Sequence, residues 1–385
     1  MPLGYNVRNV MVRWRATVAT VMGVALVVAV YVLVQSLAAG LEKSSGSTGD
    51  PRNVLITRQG ATAESSSQVT REQYKIIPFL PQVARDAQDR PLASADVVVL
   101  INLPRLENRG EANVLVRGLS PLGRELRPQV RLAEGRWFTP GQREVVASRR
   151  LAARFAHLEV GGRFRTAGAD LTVVGWMEGG GCAFDSEIWM DADEARSLFD
   201  REMYSSVLVR VKDPASLQPL LDRLEADKRL PLKAEVETEY YRQQTKTATP
   251  IKILGNFLAT MMSIGAIFAA MNTMYASVGA RTREIDTLRV LGFRRRTILL
   301  SFLVEGAILA FIGGVLGCLL ALPMHGYSTG TMGFESFSEV VFQFRITPWL
   351  AGKGLIFAVL VGVGGSLLPA WRAARLPVIA ALKAI

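Results

Sequence analysis

The stretch Ala16-Thr-Val-Ala-Thr-Val-Met-Gly-Val-Ala-Leu-Val-Val-Ala-Val-Tyr-Val-Leu-Val-Gln-Ser-Leu-Ala-Ala-Gly-Leu41 carries no charge from end to end. A helix needs about 20 apolar residues to cross roughly 30 Å of hydrocarbon, so this run is long enough to span a bilayer. A cleaved signal peptide is the competing reading. Its apolar core would be shorter, and Leu37-Ala-Ala-Gly40 is a weak small-residue cleavage pattern. Three further apolar runs decide the matter: Lys252 to Arg281, Arg296 to about Leu322, and Gly354 to Trp371. One run, a long segment of mixed composition, then three runs describe four transmembrane α-helices. A large α+β extracytoplasmic domain would lie between the first and the second.

Orientation follows from arginine and lysine, which accumulate in short cytoplasmic flanks. Arg8, Arg13 and Arg15 precede the first span; Arg281, Arg283, Arg289, Arg294, Arg295 and Arg296 separate the second from the third; Arg372, Arg375 and Lys383 follow the fourth. Four crossings bring all three clusters to one side, whereas Pro323 to Leu350 holds a single basic residue, Arg345. The expected order is a cytoplasmic N-terminal segment (1–15), spans at 16–41, 253–280, 297–322 and 354–371, and a cytoplasmic C-terminal segment (372–385). Between them lie the extracytoplasmic domain (42–236), a stalk (237–252), a cytoplasmic coupling helix (281–296) and an extracytoplasmic loop (323–353). This is a multi-pass protein of the inner (plasma) membrane.

A formal charge of +11 would suggest nucleic acid in a soluble protein. Here topology and anionic lipid headgroups absorb the excess, and no nucleic-acid partner is expected. Cys182 and Cys318 fall in different compartments and are not expected to pair.

The outer segment is long enough for its own core. Asn53–Thr57, Ala95–Leu103, Asn113–Arg117, Glu144–Ala147, Leu171–Val174 and Ser206–Val211 read as strands. Thr70–Ile77, Arg149–His157, Asp191–Asp200 and Pro214–Lys228 read as helices, with Thr70 and Asp191 as N-caps and Gln73 and Glu194 as capping-box partners. Ser44–Gly49 and Gly60–Gln68 read as loops. The stretch 237–252 is either a helical stalk kinked near Pro250 or a flexible linker.

Three motif regions carry a resemblance. Ser277-Val-Gly-Ala-Arg-Thr-Arg-Glu-Ile-Asp-Thr-Leu-Arg-Val-Leu-Gly292 resembles the cytoplasmic helix of the MacB/FtsX-like permease family of ABC transporters. Leu368-Pro-Ala-Trp-Arg-Ala-Ala-Arg375 is similar to that family's ending. Gly135-Arg-Trp-Phe-Thr-Pro-Gly141, Glu144-Val-Val-Ala-Ser148, Leu151-Ala152, Val160-Gly161 and Val173-Val-Gly175 resemble its periplasmic core domain. The resemblance implies that two permease copies or paralogues pair, and that each docks a cytoplasmic ATPase through the helix between the second and third spans. It implies further that a periplasmic adaptor and an outer-membrane channel assist export. Mechanotransmission to an extracytoplasmic partner and lipoprotein release are the alternatives within the same family.

The docking surface implied is Arg281, Arg283, Glu284, Ile285, Leu288, Arg289 and Gly292, the last as a helix-ending C′ residue. By composition alone the same helix would be a juxtamembrane helix lying on lipid headgroups. No Gly-x-x-x-x-Gly-Lys-Ser/Thr loop occurs, so the ATP and magnesium are expected in a partner subunit and no cofactor in this chain. Glu305 is an acid inside the third span. A proton or substrate site is one reading; snorkelling, or pairing with an arginine such as Arg294 to Arg296, is the favoured one. Gly313 and Gly317 form a small-xxx-small pair suited to helix packing, either within the chain or in a dimer. His157 and His325 stand apart from any metal spacing, and no Gly-x-Ser-x-Gly elbow or recognisable base accompanies Gly179-Gly-Gly-Cys182. An enzyme active site is therefore not expected.

Overall fold

The computed structural model describes residues 14–108, 110–227, 231–244, 248–332 and 338–375. Arg8, Arg13 and Lys383 lie outside them. The described chain divides into two units, one built from 40–249 and 328–343, the other from the remaining flanks.

In chain order the elements are α1 (Trp14–Gly46), β1 (Asn53–Arg58), α2 (Arg71–Ile76), β2 (Ala93–Pro104), β3 (Glu111–Leu119), β4 (Arg131–Gly135), β5 (Glu144–Ser148) and α3 (Arg149–Ala152). There follow β6 (Arg163–Thr166), β7 (Ala169–Glu178), β8 (Glu187–Asp191), α4 (Ala192–Leu198), β9 (Ser206–Arg210), α5 (Leu217–Ala226), β10 (Leu232–Val236) and α6 (Glu237–Gln244). The last third holds α7 (Ala248–Ala280), α8 (Thr282–Val290), α9 (Arg295–Ala321), β11 (Ser328–Met332), β12 (Glu339–Gln343) and α10 (Pro348–Arg375).

The first unit is a mixed sheet in the order β10-β1-β9-β2-β3-β8-β5-β7-β4, with β6 on β7. Among the described residues only β3–β8 and β5–β7 run parallel. The long strand β2 joins two halves: Ala93 to Asp96 pair with β9, and Val97 to Pro104 with β3. Thr70 caps α2 with a complete capping box. Asp191 caps α4 by accepting from the amides of Asp193 and Glu194, but the Glu194 side chain accepts instead from Arg143. The helix expected over Arg149–His157 ends at Ala152, and α1 runs on to Gly46 through the expected loop. The polar loop 60–68 contains a 3-10 turn that buries Glu64 at 4% exposure.

Hairpin β11–β12 belongs to this sheet unit, within the stretch 323–353 expected as an extracytoplasmic loop. Val341 is fully buried in the core beside Val97, Phe155 and Ile188. Glu339 accepts from Arg105 and Arg154, and Ser186 donates to the Val341 carbonyl while accepting from its amide.

The second unit is helical. Among the described residues, four helices are long and apolar enough to cross a membrane: Thr17–Ser44, Ile253–Ala280, Arg295–Met324 and Pro348–Arg375. Apolar burial contributes little between helices in lipid, so close approach through small residues supplies the packing. A Cβ on Gly313 would come within 2.8 Å of the Val21 carbonyl, and one on Gly317 within 2.5 Å of that of Ala25. These glycines therefore serve packing of α1 on α9 within the chain. Tyr31 stacks on Phe357 at 4.6 Å between ring centres, which fixes α1 against α10. The third long helix begins at Arg295 rather than at 297, and α10 begins at Pro348 rather than 354. Thr347 accepts from the Leu350 amide, an N-cap with proline at the first helical position. Pro250 is the third described residue of α7. Residues 245–247, which decide between continuous stalk and linker, lie outside the described residues.

Candidate functional site

The connection between α7 and α9 is a short amphipathic helix closed by its own sequence. Gly292 (φ +92°) donates to the Arg289 carbonyl and Phe293 to that of Leu288, the pair of bonds that defines a Schellman cap. Ile285 turns inward, 3% exposed, against Met274, Val278, Ile298 and Phe302. On the other side Val290 and Leu291 are each 70% exposed, and Phe293 is 40% exposed. Arg283 and Glu284 are exposed; Leu288 and Arg289 are half-buried.

Arg281 departs from its expected place on that surface. It sits just before the first turn of α8 with 8% exposure, and its guanidinium donates to both carboxylate oxygens of Glu305 at 3.0 and 3.3 Å. The pair ties the start of α8 to the body of α9. The sequence looked to Arg294–Arg296 for this partner, but Arg295 and Arg296 form the exposed first turn of α9. Asp286 on α8 is also buried, at 2%, with one oxygen lacking a hydrogen-bond partner.

The sheet unit holds a second polar constellation, at the foot of α6. Arg117 on β3, 1% exposed, makes bidentate bonds to Glu187 (2.8 and 2.8 Å) and to Glu64 (2.8 and 2.9 Å). Arg127 reaches Asp96 at 2.5 Å, and both guanidiniums stand over the Phe184 ring. Trp189 donates to Glu187 at 2.7 Å and Ser206 to Glu64 at 2.6 Å. Helix α6 enters through Glu237, which accepts from Asn53 (2.8 Å) and the Asp50 amide (3.0 Å), and through Tyr240, whose oxygen accepts from the Glu64 amide at 3.0 Å. Burial pushes the Glu64 carboxyl up, but Arg117 outweighs it and holds the group below its ordinary range. Glu237 goes the other way: burial raises it, and Arg127 and Asn53 offset that only in part. Its second oxygen and the Arg127 Nε face each other across 4.0 Å, both without a hydrogen bond.

The Gly179–Cys182 turn is a fixed loop. The Gly179 and Gly181 amides donate to Asp185 at 2.5 and 2.7 Å, and burial pushes the Cys182 thiol up to about 12, away from nucleophile behaviour.

Two family profiles match this chain, one on each side of α6. Residues 16–227 match the MacB-like periplasmic core domain and 256–378 the FtsX-like permease C-terminal region, the first covering over half of the chain. The chain belongs to the MacB/FtsX-like permease family of ABC transporters. A Bordetella avium macrolide export ATP-binding/permease protein MacB is 29% identical over 195 residues, 49% of this chain and 29% of that protein. The uncharacterized ABC transporter permease YknZ of Bacillus subtilis is 33% identical over 138 residues, 36% of this chain and 32% of its own. The matched stretches thus span about a third of the length of these relatives. Among solved structures, the extracellular domain of the transporter YknZ from Gram-positive bacteria aligns at TM-score 0.37 and 14% identity, over 48% of this chain and 99% of that one. The periplasmic region of MacB from Actinobacillus actinomycetemcomitans aligns at 0.38 and 12%, over 51% and 94%.

The permease is thus a multi-pass inner-membrane protein with the core domain between its first and second long helices. Its sequence pointed to α8 and Glu305 but gave no sign of the Arg117–Glu187–Glu64 network. Glu64 falls in a stretch that reads as a loop and Glu187 carries no sequence signal, because their partner, Arg117, is contributed by a distant strand. The one available signal is Arg117 itself, which directly follows the apolar run Val114-Leu-Val116 of β3.

Proposed function

We propose that this permease couples ATP hydrolysis by a separate cytoplasmic ATPase, docked on α8, to motion of the extracytoplasmic domain and to export of a substrate. The supporting observation is α8 itself: a capped helix whose N-terminal end is anchored by Arg281–Glu305 while Val290 and Leu291 stand exposed at its far end. Exposed large aliphatics beside arginines form the surface that a protein partner covers, and an anchored helix transmits displacement where a free one would yield. ATP and magnesium belong to the partner; a second permease copy or paralogue, a periplasmic adaptor and an outer-membrane channel complete the assembly.

The test is ATPase stimulation in the reconstituted complex. Val290→Asp with Leu291→Asp should lower stimulation at least tenfold, about 1.4 kcal/mol or more of docking energy, with insertion unchanged. Full stimulation in that variant would place the docking surface elsewhere. Loss of transport with stimulation intact after deletion of the adaptor gene would favour export; transport-independent activation of an outside partner would favour mechanotransmission.

A further inference from the structure

The helical unit contains a recess that none of the roles above uses. Among the described residues it is lined by all four long helices, including Thr20 of α1, Thr273 and Ser277 of α7, Leu309 of α9 and Ser366 of α10, with the Arg281–Glu305 pair in its wall. It encloses about 70 Å³, where a single water needs roughly 10–15 Å³. An ion pair at the level of apolar spans marks a functional site by default, because desolvating two charges costs several kcal/mol per ion.

The chemistry of the wall selects among ligands. Arg281 and Glu305 lie side by side with no net charge, so a lone anion would meet Glu305 and a lone cation would meet Arg281. A molecule carrying both charges a few ångströms apart satisfies both. The guanidinium has more N–H groups than its two bonds to Glu305 use. The hydroxyls add direction: Thr273 donates its hydrogen to the Ala269 carbonyl at 3.0 Å and Ser366 to that of Gly362 at 2.8 Å. Their lone pairs are left as acceptors, which suits a primary ammonium with N–H groups and does not serve a quaternary one. Val24, Met274, Leu309 and Ala310 supply an apolar wall for hydrocarbon.

We infer that this recess binds the headgroup of a zwitterionic membrane lipid with a primary amine, the phosphate on Arg281 and the ammonium on Glu305 and the hydroxyls, as in phosphatidylethanolamine. The site stands on the helical unit alone and does not depend on an ATPase docking at α8.

The experiment is native mass spectrometry of the full chain in detergent, titrated separately with dioleoyl phosphatidylethanolamine, phosphatidylcholine and phosphatidylglycerol of matched chains. Phosphatidylethanolamine should be retained about tenfold more strongly than either other lipid, a difference of 1.4 kcal/mol. Ser277→Leu, which fills the recess and leaves the ion pair in place, should abolish the preference. Thr273→Val, nearly isosteric and lacking the acceptor, should reduce it and covers the case in which the leucine variant fails to insert. Equal retention of the three lipids, or a preference untouched by both substitutions, would mean annular lipid only and would overturn the assignment.

Discussion

Arg281 and Glu305 lie 24 positions apart and meet with 8% and 6% exposure, so each is the other's main compensation for leaving water. Removing one partner strands a buried charge, a loss of about 3–5 kcal/mol, whereas replacing both by apolar residues is often neutral. Glu305→Ala should therefore lower the melting temperature of the detergent-solubilised protein sharply. Arg281→Leu with Glu305→Leu should recover most of it yet still uncouple the ATPase; if the double variant melts like the single one, the loss comes from the missing tie and not from a stranded charge. Glu237 presents the opposite situation, a buried carboxyl left 4.0 Å short of Arg127. Its folded value is raised, so its favourable contribution exists below the ordinary 4.5 and is lost as pH rises through the raised value. Glu237→Gln should be more stable than the parent at neutral pH and should converge with it near pH 4, checked by thermal unfolding across that range. A gap independent of pH would remove Glu237 from the account.

At the scale of elements, the turn between β4 and β5 carries the Gly135-Arg-Trp-Phe-Thr-Pro-Gly141 motif and is closed by one ion pair. Arg136 bonds Glu144, which also accepts from the Thr139 amide at 3.0 Å, and Trp137 lies beneath Arg124 and against Trp189. The Arg136 guanidinium holds the Glu144 carboxyl down at about 2 against an ordinary 4.5. A depressed value stabilises the fold above 4.5, and that contribution fades as pH falls through about 2. Glu144→Gln should flatten the decline in unfolding temperature between those values, and an unchanged slope would assign the acid limb to other carboxylates. This motif was legible because its residues are consecutive, as were the Thr70 capping box, the Gly292 cap and the apolar lengths of the long helices. Elements whose charges pair across distant sequence were not legible. Strand β8 opens with Glu187 and β12 with Glu339, and neither acid carries a sequence signal of its partners, Arg117 in one case and Arg105 and Arg154 in the other. Arg281 failed the same way: a basic residue in a basic cluster gives no sign that it alone turns inward.

For the whole molecule, the side of the membrane on which each unit lies follows from charge distribution rather than from packing. The connection from α7 to α9 and the end of α10 hold Arg281, Arg283, Arg289, Arg294–Arg296, Arg372 and Arg375, whereas the chain between α9 and α10 holds Arg345. Moving the richer set outward opposes the bias that sets orientation, so the sheet unit is expected outside and α8 inside. The connectivity makes the assignment all-or-none: α1, α7 and the β11–β12 hairpin between α9 and α10 all feed the sheet unit, so no single helix inverts without carrying that fold across. Single cysteines at Ser66 and Thr287, both exposed, report the two sides. Cys182 is fully buried and stays silent, and Cys318 is replaced by serine to leave one reactive thiol in each variant. A membrane-impermeant maleimide added to intact spheroplasts should label the Ser66 position within minutes and the Thr287 position only after lysis. Labelling in the reverse order would put α8 outside, beyond the reach of a cytoplasmic ATPase, and the coupling function would fall with it.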